Sequence, residues 1–318
     1  MIRQKGGPLM GKIVGVGSLI VDIAAFTDHF PVAGETALGK TLRFGPGGKG
    51  SNQMTAAHRA GAEAVIIGRV GQDRLGELML AHYRSEGMTA KYIKLSAENE
   101  TGSALIEVET GSGQNRIIIV KGACAEITAD DVREAESEFA SCDLVVTQLE
   151  TSIGSIMECR RLAEKHRKPF LLNPAPFQEV PPELFSGTDW VTPNETEAEF
   201  FTGIPVRDRD GAAAAAAALL KRGVKHAVIT LGKNGVFYSD GNREILLPGV
   251  KVDAVDTTGA GDAFNGALAA ALTEKMEIET ALKFANCAGA LSTTRHGTAP
   301  AMPTRAEILR CLKENYGI

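Results

Sequence analysis

The chain is predicted to be an α/β protein, a three-layer α/β/α sandwich around a central, mostly parallel sheet. Short apolar runs alternate with longer helical stretches, as parallel strands require, because their crossovers need a dozen or more residues. The runs are apolar throughout, the pattern of strands buried on both faces. A chain of 318 residues, 44% hydrophobic and 23% charged, can bury such a core in one domain, so residues 1–318 are read as one unit.

The first strand is expected over 12–17, and Asp22 follows its apolar run by a few residues. Open α/β sheets bind ligands at such carboxyl ends. Residues 23–44 then break the alternation and read as β-rich, before the loop Gly45-Pro46-Gly47-Gly48-Lys49-Gly50 feeds a helix over 51–60. A strand over 64–70 and a helix over 76–86 come next, with Asp73 as turn residue and helix cap. Residues 101–121 are again β-rich. Runs at 104–109 and 116–120 flank Thr110-Gly111-Ser112-Gly113-Gln114, a hairpin by its turn chemistry. Further strands are expected over 144–148, 170–173, 190–192 and 227–231, and helices over 152–166, 211–222, 259–274 and 277–294. Seven consecutive alanines at 212–218 need no special role, since alanine is the best helix former and a small face lets a helix approach a sheet.

The chemistry concentrates in Asp256-Thr257-Thr258-Gly259-Ala260-Gly261-Asp262. Small residues at 259–261 let backbone N–H groups approach a ligand, and the helix starting there adds a positive dipole end suited to phosphate. Asp262, beside donors that would stabilise a transferring phosphoryl group, is placed to accept the proton of an attacking hydroxyl. Taken alone, it reads equally as a helix-capping acid. The stretch is neither a Walker loop, for it lacks the closing Gly-Lys-Ser/Thr, nor a dinucleotide fingerprint, for it does not follow the first strand. Asp22, Lys49 and Asn52 can together grip vicinal hydroxyls, the carboxylate accepting and the ammonium and amide donating. A polyol acceptor and a phosphoryl donor are the expectation.

Other function classes are disfavoured. A net charge of −5 with no sustained Lys/Arg run argues against nucleic-acid and membrane-surface partners. No apolar run approaches the roughly 18–20 residues of a membrane span, and residues 1–10 lack the apolar core of a signal peptide, so a cytoplasmic protein is expected, with translation starting at Met1 or Met10. Five unclustered cysteines, at 124, 142, 159, 287 and 311, read as reduced structural thiols, and six scattered histidines form no zinc pattern.

The motifs occur in a fixed order: Gly17-Ser18 with Asp22, Gly34-Glu35-Thr36, Gly47-Gly48-Lys49-Gly50 with Asn52, and Gln148-Leu149-Glu150. Then come Asn173-Pro174-Ala175-Pro176, Thr192-Pro193-Asn194-Glu195-Thr196-Glu197, Thr230-Leu231-Gly232 with Gly235, and the 256–264 stretch. From about residue 12 onward the chain resembles the ribokinase family of ATP-dependent sugar and nucleoside kinases, the PfkB-type carbohydrate kinases, and most closely its ribokinase branch.

The resemblance implies a ribokinase-like fold with a small β lid built from about 23–44 and 101–121, which closes over the sugar and pairs with its twin in a homodimer. It implies transfer of the ATP γ-phosphoryl group to the 5-hydroxyl of ribose, with Asp262 as base and the amides of Gly259, Ala260 and Gly261 as anion hole. Asp22, Gly48, Lys49, Asn52 and Glu150 would hold the sugar, though Glu150 also reads as a cap for the helix near Ser152. Asn194 would bind nucleotide phosphates and Glu197 would organise Mg²⁺ through water, while the same pair reads as a capping box. Thr230, Gly232, Gly235 and Asn286 would complete the nucleotide site. K⁺ or another monovalent cation would meet Asp256 and the carbonyls of Thr258, Ser292 and Gly297, with Ala301 standing where the branch offers a further side-chain ligand.

Ile20 is a second departure, since the branch usually carries Asn there, against a sugar hydroxyl. A ribose 2-hydroxyl left unpaired in a partly buried pocket costs about 1–3 kcal/mol, which makes 2-deoxyribose the rival acceptor, with another PfkB-type sugar or nucleoside substrate as a further alternative. The plain reading is that Ile20 packs against the lid and a water or neighbouring residue serves the hydroxyl. A sugar or nucleotide sensor without catalysis and a phosphatase or nucleotide hydrolase are the readings from other classes. Intact Asp262 and glycines argue against the first, and the lack of further carboxylates for a second metal against the other.

Overall fold

The computed structural model describes residues 11–111 and 114–318. The alternative starts at Met1 and Met10, and the tip of the expected hairpin turn at 112–113, lie outside the described residues. The first half of the chain runs β1 (Lys12–Val16), β2 (Ile20–Thr27), β3 (Thr41–Gly47), α1 (Lys49–Ala60), β4 (Glu63–Gly71) and α2 (Arg74–Glu86). It continues through β5 (Ile93–Ser96), β6 (Gly102–Glu109), β7 (Asn115–Val120), α3 (Ala129–Glu134), α4 (Glu136–Ser141) and β8 (Leu144–Thr147). The second half runs α5 (Ile153–Lys165), β9 (Phe170–Leu172), β10 (Trp190–Val191), α6 (Glu195–Thr202), α7 (Arg209–Lys221) and β11 (His226–Thr230). It closes with β12 (Val236–Ser239), β13 (Glu244–Leu247), α8 (Ala260–Thr273), α9 (Ile278–Ser292) and α10 (Arg305–Tyr316).

A nine-stranded sheet forms the middle layer, in the order β13-β12-β11-β10-β9-β8-β1-β4-β5. The pairs from β5 to β11 are all parallel, and only the β11–β12 and β12–β13 pairs are antiparallel. The inner strands feed both flanking layers, while the edge strands β5 and β13 bury apolar residues on one side only. In β1, Ile13 joins a core with Met54 and Ala57 of α1 and with Leu268, Phe284 and Ile308, while Val14 and Val16 join Ile156 and Leu162 of α5 and Leu219 of α7 on the other face. The alanine run behaves as expected: Ala212, Ala215, Ala216 and Leu219 recur at helical spacing and are buried.

Helix starts follow local capping chemistry. Asp73 Oδ1 accepts from Gly76 N–H at 2.7 Å, Asp208 from Gly211 N–H at 2.9 Å, and Thr304 and Glu307 form a capping box.

A separate four-stranded sheet has the order β3-β2-β6-β7, with β2–β6 parallel and the other pairs antiparallel. Its strands differ from the expected lid bounds. β2 begins at Ile20, ahead of the expected position 23, because it pairs from Ile20 with both Gly47 and Gly102, and residues 28–40 form no strand. β7 is exposed along its whole length, with Ile118 65% exposed. The unassigned stretch after residue 231 supplies β12 and β13, and β5, α3, α4 and α10 were likewise not expected, whereas α6 starts at the capping box read from Asn194 and Glu197. All five cysteines are free and buried.

Candidate active site

Two helix starts meet where the central strands end, and they differ in what satisfies their first amides. α8 follows Gly259, whose φ of 78° is in the left-handed region that glycine enters without strain. No side chain caps it, and the N–H groups of Gly259, Gly261 and Asp262 meet no acceptor among the described residues. The Ala260 N–H leans on Thr257 O at 3.3 Å. Free donors at a positive dipole end make an anion site.

The start of α1 is closed by the protein itself. Lys49 N–H donates to Glu150 Oε2 at 2.9 Å, Ser51 N–H to Ser18 O at 2.9 Å and Gly50 N–H to Ser18 Oγ at 3.4 Å. Ser18 Oγ also donates to Glu150 Oε2. Glu150 is thus a helix cap, but of α1 across the site, while Ser152 caps α5 by accepting from Ser155 N–H at 3.1 Å.

Close packing of α1 and α8 brings distant residues together. A Cβ on Gly266 would lie 2.4 Å from Gln53 O and 2.5 Å from Ala56 Cβ, so only glycine permits this approach. Across it, Asp262 Oδ2 accepts from Asn52 Nδ2 at 2.9 Å and Oδ1 accepts from Gln53 Nε2 at 3.0 Å. Asp262 is 5% exposed.

A buried network continues behind the acid. Gln53 donates to Asn173 Oδ1 at 3.0 Å and accepts from Gln148 Nε2 at 2.7 Å. Asn173 Nδ2 donates to Thr192 O at 2.9 Å, Thr192 Oγ1 to Asn265 Oδ1 at 2.6 Å, and Asn265 Nδ2 to Gly261 O at 2.8 Å. The acid and its helix are thereby referenced to the ends of β8, β9 and β10. The network is not fully satisfied, since the buried Gln148 Oε1 and Asn52 Oδ1 have no partner among the described residues, but its linked bonds still bias the acid toward one geometry.

Two cavities flank the Thr257–Gly259 turn. The smaller, about 170 Å³, is lined by Lys49, Asn194, Glu197, Thr230, the 259–261 turn and Asp262. The larger, about 620 Å³, is lined by Asp22, Gly45, Asp256, Thr258, Gly297 and Thr298 at its floor and by Phe26, Arg43 and Ile106 of the small sheet. Thr257 lines both.

Some of the expected site residues line these spaces, whereas Gly48, Asn52 and Glu150 line neither. Lys49 lines the phosphate-sized cavity instead of the larger one. Burial disfavours its charge, but Asp262, Glu150 and Glu197 more than offset this and hold its pKa above the ordinary lysine value. Asp22 lies in the larger cavity, where burial lifts its pKa to about 6; the Thr298 hydroxyl opposes the rise, and Asp262, Glu150 and Asp256 add to it. Asn194 and Glu197 are a capping box, with Asn194 N–H on Glu197 Oε2 at 2.9 Å and Glu197 N–H on Asn194 Oδ1 at 2.8 Å. Burial raises the Glu197 pKa, against the Asn194 N–H and Lys49, with Asp262 and Glu195 adding. The two Asp256 oxygens accept from Thr258 N–H and Gly297 N–H, both at 3.0 Å.

Other expected residues stand off both cavities. Gly235 has a φ of 102° and its Cβ would lie 2.0 Å from Leu247 O, so it serves the β12–β13 edge; Gly232 opens the tight turn after β11. Asn286 Nδ2 donates to Pro248 O at 2.8 Å and Tyr316 Oη at 2.9 Å. Ser292 and Ala301 are buried. Ile20 is 3% exposed and packs with Ala104 and Cys124. Gln53, Asn265 and Thr298 were not anticipated. Gln53 was findable, adjoining Asn52 in the glycine-loop motif; Thr298 carried no local signal.

An open helix start, an acid anchored beside it and a carboxylate-lined cavity across one turn define a phosphotransferase acting on a small hydroxylated molecule. The chain belongs to the pfkB family of carbohydrate kinases, whose model matches residues 10–305. It is 37% identical over 298 residues to the ribokinase of Haemophilus influenzae, covering 94% of this chain and 97% of that protein. It is 33% identical over 293 residues to the deoxyribokinase of Salmonella typhi, covering 92% and 95%. Among solved structures, that of Arabidopsis thaliana ribokinase complexed with ribose and ATP is 31% identical, with a TM-score of 0.87 over 95% of this chain and 99% of that one.

Proposed function

We propose that this sugar kinase transfers the γ-phosphoryl group of ATP to the 5-hydroxyl of D-ribose, giving ribose 5-phosphate and ADP. The observation that carries the reading is Asp262, held by both oxygens in the first turn of a helix with open amides, next to the turn that separates the two cavities. In this reading the sugar occupies the larger cavity, gripped by Asp22, while Gly48, Asn52 and Glu150, which lie outside its lining, hold the start of α1 and the Asp262 carboxylate behind it. The phosphates occupy the smaller cavity against Lys49, Asn194 and Thr230, with Gly232, Gly235 and Asn286 beside the nucleoside. Asp262 accepts the hydroxyl proton as the oxygen attacks phosphorus in line. The amides of Gly259, Ala260 and Gly261 receive the charge that develops on the phosphoryl oxygens, and Ala260 turns from its long bond to Thr257.

The donor sets suit two cations. Glu197 lines the smaller cavity with one oxygen on Asn194 N–H and the other not engaged by that bond, which fits a Mg²⁺ that keeps its waters and arrives on the phosphates. Asp256 with the carbonyls of Thr258, Ser292 and Gly297 is an all-oxygen set for K⁺, and Ala301 contributes none. When bound, Mg²⁺ would offset phosphate charge and K⁺ would strengthen the field of the anion hole. The open apolar edge β7, with Leu42, Phe44 and Leu105, supports pairing with a second copy through the small sheet, which closes as a lid over the sugar. No helix among the described residues is long and apolar enough to cross a membrane, and a cytoplasmic location goes with the use of ATP.

One observation favours a second acceptor. Ile20 stands where the family's ribokinase branch carries Asn and offers no donor or acceptor to a 2-hydroxyl, which suits 2-deoxyribose, although its side chain is packed against Ala104 and Cys124 and lines neither cavity. Comparing kcat/KM for ribose, 2-deoxyribose, fructose and adenosine with MgATP and K⁺ tests both. Preference for ribose supports the main reading; preference for 2-deoxyribose makes Ile20 the specificity determinant. ADP release independent of any sugar would point to a hydrolase, and binding without turnover to a sensor.

A further inference from the structure

We propose that Thr298 is a positioning residue for the acceptor: its hydroxyl fixes the Asp22 carboxylate in one orientation and so sets how tightly the sugar is held. The inference rests on the sugar-kinase reading and deepens it. Thr298 Oγ1 lies 2.7 Å from Asp22 Oδ2 and 3.1 Å from Pro46 O. A hydroxyl has one proton, so the shorter, charge-assisted bond to the carboxylate takes it.

Among the described residues no other hydrogen-bond donor meets Asp22. No lysine or arginine among the described residues pairs with it, and its Oδ1 accepts no hydrogen bond there. The neighbours that act on its charge are the carboxylates of Asp262, Glu150 and Asp256. Gly47 crowds it from β3, where a Cβ would lie 2.4 Å from Oδ2. The carboxylate is therefore confined by backbone on one side and by one hydroxyl on the other, which leaves Oδ1 to meet the ligand.

Thr298 is 5% exposed and belongs to the segment after α9, so its hydroxyl ties β2 to the body of the fold. The two residues before it act on the same surroundings. The His296 ring stands edge-on to Phe26 of β2 at 6.1 Å, and Gly297 N–H holds Asp256. Removing the hydroxyl frees Asp22 to rotate, and the sugar must then order it on binding. That cost falls on affinity before chemistry, because Asp262 is held independently by Asn52 and Gln53.

The test compares Thr298→Val, Thr298→Ala and Thr298→Ser with the parent in steady-state ADP release. Thr298→Val should raise KM for the sugar about 10-fold or more, with kcat falling by a smaller factor, as expected for a lost hydrogen bond to a charged group used equally in ground and transition states. Thr298→Ser, which keeps the hydroxyl, should return KM to within about 3-fold of the parent on the same grounds. If Thr298→Val does not fold, Thr298→Ala carries the same expectation. An unchanged KM in Thr298→Val, or a serine variant as impaired as the valine one, overturns the inference while leaving an active parent a kinase. A parent without sugar-dependent ADP release overturns the kinase reading, and this inference with it.

Discussion

Asn52 Nδ2 donates to Asp262 Oδ2 at 2.9 Å, joining two residues 210 positions apart. The bond exists because α1 and α8 pack at glycine distance, and with Gln53 on Oδ1 it holds the acid at a helix start whose amides are open. The substitutions below test what that juxtaposition does.

Asp262→Asn keeps the shape and a hydrogen-bonding oxygen but removes the base. We expect kcat to fall by at least about 10²-fold while the sugar still binds. Steady-state kinetics with calorimetric titration of the sugar checks both halves, and near-normal turnover would remove Asp262 from its assigned role.

Gly266→Ala places a methyl where Gln53 O and the Ala56 methyl already stand. Separating α1 from α8 should cost about 1–3 kcal/mol of stability and move Asn52 and Gln53 off Asp262. A lowered melting temperature together with a lowered kcat is expected; a fully active, unshifted variant would mean that the helices are not in such close contact.

Asp22 should give the acceptor site an acid limb. With its pKa at about 6, the carboxylate is ionised at pH 7 and protonates below that point, so kcat/KM for the sugar should fall as pH drops through about 6. The same shift acts on stability with the opposite sense. A carboxyl whose folded pKa is raised from 3.8 contributes stability that is fully present below 3.8 and lost as pH rises through about 6. Asp22→Asn should therefore melt higher than the parent at pH 7, by on the order of 1–3 kcal/mol, and lose that advantage near pH 4. A kcat/KM profile flat from pH 5 to about 8, against the pKa logic of buried acids, would count against Asp22 as the sugar-binding acid.

Ile118→Asp puts charge into the exposed apolar strand β7. If two copies join through the small sheet, the parent should sediment as a dimer and the variant as a monomer. Equal sedimentation of the two would move any interface elsewhere.

Much of this was legible in the sequence, for local reasons. The buried strands around Ile13, Val145 and Val228 announce themselves as unbroken apolar runs, and Gly259 to Asp262 carries its own backbone requirement and acid in one turn. What was missed depends on contacts between distant segments. Glu150 caps the helix starting at Lys49, 101 residues away, instead of the one that follows it. Thr298 meets Asp22 across 276 positions, from a segment with no turn or cap motif naming a partner. β12 and β13 pair at a sheet edge and are short, and Gly235, read as a nucleotide contact, holds the backbone of that edge against Leu247. Local pattern records strand burial and turn chemistry; it does not record which side chain a distant helix start will recruit.

The most direct measurement is phosphorus NMR of the products formed from MgATP and ribose in the presence of K⁺. ADP and a sugar phosphate esterified at the 5-hydroxyl, in equal amounts and only when ribose is present, are the expected result. ADP with free phosphate at a rate indifferent to ribose, or no ADP from any pentose, would contradict it.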